Sequence, residues 1–350
     1  MTIQTYEIER KAQTRTHLEA ELTKSLSADE RHLPSLCLWD QQGLQLFEDI
    51  THSEDYYPFA AEVSLLRGNV DNLLDHISEG GAILELGSGS LEKTDILLQG
   101  LSHLQRHVDY YALDVSPSEL YRTLNAIEDK LGDNSTVKCH PLVCTYEESL
   151  VWLKQNPVLD GRDVIVLWLG SSMANETPET IQRLLRSFKA ASESSQIGKL
   201  TFLIGIDGCK DITRISRAYD LSNGLSRRFA MNGIANINSI MGYNVFDPKD
   251  WVFRGLWNSK QSRYETCLSP VRDIALQIGR QAIHLKSSEL VRLIYSQKWD
   301  RGDMERILEG TGFGITKCWK NPEGGYGTSL STAQVLQHTH IPGLVLYQLE

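Results

Sequence analysis

Apolar positions fall at helical spacing through the opening third of the chain. The stretches THLEAELTKSL and AAEVSLLRGNVDNLLDHI repeat hydrophobic residues every three or four positions, the period of a helix with one buried face. The intervening LWDQQGLQLFEDITHSEDYYP is mixed. From Ala82 the pattern changes. Short apolar runs alternate with helical stretches: AILEL, a helix, VDYYALDV, a helix from Pro117 to Leu131, TVKCHPLVC, a helix, DVIVLWLG, a helix, and KLTFLIGID. Strands that read as continuous rather than alternating apolar runs are covered on both faces, so five of them separated by helices predict a doubly wound, Rossmann-like parallel sheet.

After FLIGID the alternation stops. A helix is expected around KDITRISRAYDLSNGLSRRFAMNGIANINSIMG, and a hairpin in WVFRGLWNSKQSRYETCLSP. This block reads as an inserted second subdomain. The end of the chain reads as a helix, a strand and a closing strand that return to the sheet, where a closing hairpin pairs backbone groups an edge would leave open. The division expected is residues 1–59 as helices of a substrate-binding part, 60–208 as the cofactor-binding sheet, 209–298 as the inserted substrate-binding subdomain, and 299–350 as the return.

Composition narrows the class. The 350 residues are 41% hydrophobic and 23% charged, ordinary for a globular chain long enough for two domains. A formal net charge of -10 works against binding a polyanionic backbone, so no nucleic-acid partner is expected. Six scattered cysteines form no Cys-x-x-Cys pair and are expected to be reduced and mostly buried. The polar N-terminus lacks the apolar core of a signal peptide and no run approaches bilayer-spanning length, so a cytoplasmic protein with no membrane partner is expected. His338 and His340 in QHTHIPG have a metal-like spacing but no third ligand nearby in sequence, and no metal is expected. Glu147, Glu148, Asp300, Asp303 and Glu305 read as solvated helix faces or helix starts.

The chemistry centres on ILELGSGSLEKTDILL, a Gly-rich turn between a strand and a helix. A dinucleotide fingerprint needs a third glycine where this chain has Glu92, and an acidic side chain opposes a phosphate at the helix start, although Lys93 offsets it. S-adenosylmethionine has no phosphate and carries a positive sulfonium. For it, Gly87 and Gly89 permit close backbone approach, and Glu85 offers acceptor capacity. Asp114, at the end of the next strand, is placed to bond ribose hydroxyls, a group both nucleosides share. A tight turn that only packs helix on sheet is the plainer alternative.

The segments LPSLCLWDQQGLQLFEDITHSEDYYPFAAEVSLLR, LELGSGSLEKTDILL, YYALDVS, LGSSMANETPE and SRAYD, in unbroken order from about Leu33 to Leu330, together resemble the S-adenosylmethionine-dependent α-amino-acid N-methyltransferases. That family includes the histidine-trimethylating enzyme of ergothioneine biosynthesis and the fungal 4-dimethylallyltryptophan N-methyltransferase. The resemblance implies an α/β fold with a Rossmann-like methyltransferase core and an inserted α+β substrate-binding subdomain. It implies S-adenosylmethionine contacts at Gly87, Lys93 and Asp114, with Thr145 and Tyr146 beside the adenine. Thr145 stands where bacterial histidine enzymes have Asp, and the fungal branch shows a similar Thr-aromatic pair.

For the substrate, the resemblance implies that Tyr56, Asn175 and Tyr219 orient the amine and carboxylate, with Gly170 lining the same pocket. Tyr56 and Asn175 are the candidate catalytic residues, as orienting groups; no general base stands out. Taken alone, Tyr56 reads equally well as a core tyrosine and Asn175 as a loop or capping residue. Ile294 aligns where histidine-specific members place a Glu that holds the imidazole, so histidine fits poorly. Thr266 replaces a larger Met, Ser296 is as in the family, and Trp39 would add an aromatic face near the amine, if it is more than a buried core tryptophan. The expectation is a monomeric enzyme that methylates the α-amine of an aromatic amino acid, 4-dimethylallyltryptophan first. Tryptophan, tyrosine or histidine are alternatives, as is a catalytically silent, cofactor-binding partner protein.

Overall fold

The computed structural model describes residues 6–7, 15–320 and 344–349. The chain opens with β1 (Tyr6–Glu7), α1 (Arg15–Leu26), α2 (Gln41–Thr51) and α3 (Tyr57–Leu74). Strand and helix then alternate through β2 (Ala82–Leu86), α4 (Glu92–His103), β3 (Val108–Asp114), α5 (Pro117–Leu131), β4 (Val137–Val143), α6 (Tyr146–Gln155), β5 (Val164–Trp168), α7 (Pro178–Ser194) and β6 (Leu200–Asp207). Two helices follow, α8 (Ile212–Tyr219) and α9 (Leu225–Met241). Five strands come next, β7 (Trp251–Asn258), β8 (Arg263–Pro270), β9 (Ile274–Ile278), β10 (Gln281–Leu285) and β11 (Val291–Gln297). The described chain closes with α10 (Arg301–Leu308), β12 (Ile315–Lys320) and β13 (Leu344–Leu349). No described helix is long and apolar enough to cross a membrane.

The described residues form two compact units, 6–7, 57–211, 298–320 and 344–349 in the first and 15–56 and 212–297 in the second. The first is built on one sheet in the order β1-β4-β3-β2-β5-β6-β13-β12. The strands from β1 to β6 pair in parallel, and β13 and β12 add antiparallel at the edge. Every residue of β2, β5 and β6 is buried, because helices cover both faces. Ala82, Leu84 and Leu86 belong to a core shared with α6, α7 and α10. Ile83 points the other way, into a core shared with α3, α4 and α5, as the two-residue period of a strand requires. Strand order runs outward from β2 to β4, then reverses from β5 to β6. In open α/β sheets, ligands bind beyond the carboxyl ends of the strands at such a reversal.

Two details depart from the sequence pattern. The helix expected after β6 is two helices, because Gly224 turns left-handed (φ +78°) and starts α9 afresh. The strand β1, with Tyr6 opposite Leu142, lies in the polar N-terminal stretch and is too short to show a period. Four of the acidic residues are placed at helix starts: Glu147 and Glu148 in the first turn of α6, where Glu148 forms a capping box with Thr145, and Asp300 and Asp303 as the capping box of α10.

At the end of β6 the first unit buries a charge pair. Asp207 and Lys298 are both fully enclosed, with Lys298 Nζ 2.7 Å from Asp207 Oδ2. Tyr57 donates to the same oxygen at 2.5 Å and the Cys209 N–H donates to Oδ1 at 2.9 Å. Burial alone raises the Asp207 pKa, but the ammonium and these donors outweigh it and hold the group below the usual carboxylate range. Replacing Lys298 by Met strands the carboxylate, which costs about 3–5 kcal/mol. The Asp207→Asn/Lys298→Met double variant recovers most of that loss, as read from urea unfolding midpoints of the three proteins.

Candidate active site

The candidate residues fall into two sets, one on each unit. In the first unit the turn after β2 is shaped by backbone demands. Gly87 and Gly89 both hold positive φ (+71° and +55°), as does Leu91 at the start of α4 (+61°). Gly87 has a second reason to be glycine, since a Cβ there would stand 2.9 Å from the Tyr146 hydroxyl. The N–H groups of Gly87 and Ser88 donate to Leu113 O at 3.0 and 2.9 Å, fastening the turn to the end of β3. Asp114 Oδ2 accepts from Gly89 N at 3.3 Å, and Oδ1 from Val115 N and Ser116 N at 2.6 and 3.2 Å. Tyr146 meets Trp168 edge-on, ring centroids 5.5 Å apart, and burial followed by the nearby Asp114 charge pushes its hydroxyl pKa up. Gly87, Gly89, Asp114 and Tyr146 are thus brought together, with Thr145 beside them as the cap of α6.

Lys93 and Gly170 meet through a residue that the sequence reading missed. Glu62 of α3 is 1% exposed. Its Oε2 accepts from Lys93 Nζ at 2.7 Å, and both its oxygens lie within hydrogen-bond distance of Gly170 N, 3.0 and 2.9 Å. Asn175 ends the short 3-10 turn Ser172–Asn175 in the same loop. That loop is held on its other side by Asp207 N, which donates to Ser171 Oγ at 3.1 Å. No helical or strand periodicity marks a lone Glu in an apolar helix as a site residue; only its incongruity with buried neighbours could have.

Glu85 requires a correction. Read as an acceptor toward the cofactor, it sits on the β2 face that points into the core, 2% exposed. Thr94 donates to its Oε1 at 2.7 Å and the Tyr110 hydroxyl donates to Oε2. It ties α4 to β2 and β3 from beneath the turn. Desolvation is the largest influence on it and lifts its pKa to about 7, against the two donors.

The turn suits a sulfonium nucleoside better than a phosphate. Gly87 and Gly89 are exposed, leaving the backbone open to close approach. The Ser88 hydroxyl is buried with no hydrogen-bond partner, a polar group that awaits one. Glu92 and Asp95 occupy the first turn of α4, and Lys93 is already paired to Glu62. Among the described residues of the turn and the start of α4, no cation is left over to receive a phosphate.

In the second unit the candidates form a continuous aromatic series. Trp39 packs on Phe47 and Phe229, with centroids at 5.2 and 5.4 Å, and Phe47 meets Tyr56 at 6.1 Å. Tyr56 in turn meets Tyr219 at 5.8 Å, and Tyr219 stacks on Tyr264 at 5.3 Å. The Tyr219 and Ser296 hydroxyls are 2.9 Å apart. Trp39 is positioned from α9: Asn232 donates to Asp40 Oδ1 at 2.7 Å and Asn236 to Cys37 O at 2.9 Å, while Gly233 allows Leu38 to approach the helix. Phe229, Asn232, Gly233 and Asn236 follow helical spacing and lie along one stripe. Ile294 pairs with Thr266 and Ser296 with Tyr264 across β11 and β8, so these four side chains share one sheet face. Phe47, Phe229 and Tyr264 were not singled out from sequence, where an aromatic at helical or strand spacing reads as core.

His338 and His340 lie outside the described residues. Among those described, no group of three or more His, Cys, Asp or Glu is placed to hold a metal.

A nucleoside turn on a doubly wound sheet, with acidic rather than phosphate-binding surroundings, defines an S-adenosylmethionine-dependent methyltransferase. The chain belongs to the family described as "Histidine-specific methyltransferase, SAM-dependent", whose model matches residues 18–333. It is 37% identical over 320 residues to the N-methyltransferase imqF of Aspergillus flavus, covering 91% of this chain and 85% of that one. It is 31% identical to ergothioneine biosynthesis protein 1 of Neurospora crassa, covering 96% of this chain and 37% of that one. To the 4-dimethylallyltryptophan N-methyltransferase easF of Arthroderma benhamiae it is 29% identical, covering 89% of this chain and 92% of that one. The protein is therefore an S-adenosylmethionine-dependent N-methyltransferase.

The buried Glu85 makes a pH prediction. Its folded pKa of about 7 exceeds the ordinary 4.5, so its contribution to stability is greatest below pH 4.5 and is lost as pH rises through 7. Glu85→Gln removes that dependence. The stability of the wild type minus that of the variant falls by about 2–3 kcal/mol between pH 4.5 and 8, measured as the difference in urea unfolding free energies.

Proposed function

We propose that the enzyme transfers a methyl group to the α-amine of an amino acid with an aromatic side chain, with 4-dimethylallyltryptophan as the first candidate, and that it acts as a cytoplasmic monomer. The observation that carries this reading is the aromatic series from Trp39 to Tyr264 in the second unit. It offers ring edges and faces with two hydroxyls, Tyr219 and Ser296, at one end. A flat, electron-rich side chain gains from such surroundings through offset and edge-on ring contacts, each worth about 0.5–1.5 kcal/mol beyond burial. The Thr266–Ile294 pair supplies no charge for an imidazole, and an unpaired buried ring nitrogen is costly.

S-adenosylmethionine, when bound, supplies an electrophilic methyl group. The residues then have to align an amine lone pair with it, and alignment accounts for much of the acceleration in such a displacement. Tyr56, Asn175 and Tyr219 are the orienting groups in this reading, and Trp39 presents a ring face to the ammonium that forms. The names of relatives agree with an amine acceptor: easF is named for 4-dimethylallyltryptophan, and imqF for N-methylation.

The test is mass spectrometry of products from purified enzyme, S-adenosylmethionine and an equimolar mixture of histidine, tyrosine, tryptophan and 4-dimethylallyltryptophan. Methyl gain on the aromatic amino acids, the prenylated indole foremost, is expected. In the Ile294→Glu variant kcat/KM for the aromatic substrate drops at least tenfold, because the pocket must then desolvate a charge. Turnover of histidine alone by the wild type overturns the reading, and cofactor binding without turnover of any amine points to a silent binding protein.

A further inference from the structure

Among the buried ionisable groups, Glu62 is one the chemistry above leaves unused. It lies in α3, a helix that otherwise packs Leu65, Leu66, Leu73 and Leu74 into the core. A carboxylate 1% exposed in such a helix must be matched by partners, because an unpaired buried charge is strongly unfavourable. Its partners converge from separate parts of the first unit: Lys93 at the start of α4 and the Gly170 N–H just past β5. Two glycines make room for the arrangement. A Cβ on Gly205 would overlap Glu62 Oε1, and one on Gly170 would stand 2.9 Å from Lys93 Nζ. Packing alone would be served by a leucine at position 62 and an alanine at 205. The arrangement is instead fitted around a charge.

We propose that Glu62 is a positioning residue that fixes the Lys93 ammonium and neutralises it, so that the site favours the cationic methyl donor over its neutral demethylated product. The inference rests on the methyltransferase assignment. S-adenosylmethionine and S-adenosylhomocysteine share the same nucleoside, ammonium and carboxylate and differ at sulfur, a sulfonium in one and a thioether in the other. An unpaired lysine beside the sulfonium repels only the first. Like charges held in one site at an effective dielectric of about 20 interact strongly enough to shift a binding equilibrium severalfold or more. Glu62 cancels that repulsion, and its bond to Gly170 N places the loop that ends in Asn175 and the lysine against the same carboxylate.

The ratio of the two dissociation constants isolates the charge at sulfur, since contacts common to both ligands cancel. Titration calorimetry of the full chain with each ligand, at low and at physiological salt, measures it. Glu62→Gln keeps the shape and an acceptor for Gly170 N but removes the charge. It is expected to raise Kd for S-adenosylmethionine relative to S-adenosylhomocysteine by roughly three- to thirtyfold, the more so at low salt. Lys93→Met, which leaves Glu62 charged, is expected to move the ratio the other way. Equal weakening of both ligands by Glu62→Gln, with the ratio unchanged, is the result of a merely structural residue and overturns the proposal. If Glu62→Gln does not fold, Lys93→Met decides: a lowered ratio supports the proposal, and an unchanged or raised one overturns it. A wild type that binds neither ligand overturns the cofactor assignment along with it.

Discussion

The first unit depends on one buried ion pair. Its chain is interrupted, leaving after Asp211 and resuming at Lys298, with a further entry at Tyr57. Tyr57, Asp207 and Lys298 stand next to those three points and share one carboxylate oxygen. A hydrophobic cluster could join the three segments with comparable energy, but with looser geometry. A fully enclosed carboxylate with an ammonium and two further donors accepts few arrangements, since any slip strands a charge in a medium that cannot solvate it. The loop from Gly170 to Asn175 inherits this fixity through the Ser171 hydroxyl, which accepts the Asp207 N–H.

Charge management also explains why the glycine turn has the character it does. Nucleotide-binding turns on this kind of sheet aim N–H groups and cations at a pyrophosphate. Here Gly87 and Ser88 spend their N–H groups on Leu113 O, Asp114 takes that of Gly89, and Lys93 is paired. The same backbone shape is left with acceptor character and an unpartnered Ser88 hydroxyl. Two ligand classes separated by the sign of their charge are thereby distinguished on a common scaffold.

Much of this was legible in the sequence because it follows from periodicity and side-chain type. Continuous apolar runs mark β2, β5 and β6 as doubly covered strands, and an acidic residue in place of a third glycine tells against a phosphate. Asp114 could be read from its position at a strand end. What escaped has a common physical cause. Glu85 looks like a ligand-facing acid and Glu62 like an incidental charge in a packed helix, whereas what each one bonds depends on which face of a strand or helix it occupies and on what meets it there. Tyr264 and Phe229 escaped because an aromatic that joins a ring-to-ring series and one that fills a core have the same spacing. The break between α8 and α9 turns on a single left-handed glycine, where the apolar pattern runs on across it.

The placement of β13 has a consequence for how the molecule is made. It follows β12 in the chain yet lies inside it in the sheet, between β6 and β12, with all six residues buried. During synthesis β6 therefore presents an open edge while the later part of the second unit (212–297), α10 and β12 emerge, and β12 lacks its partner strand until the ribosome has passed Leu344. A sheet finished from within by a late strand keeps an aggregation-prone edge exposed for much of translation. Nascent chains stalled short of β13 are thus the forms of this enzyme most in need of a chaperone.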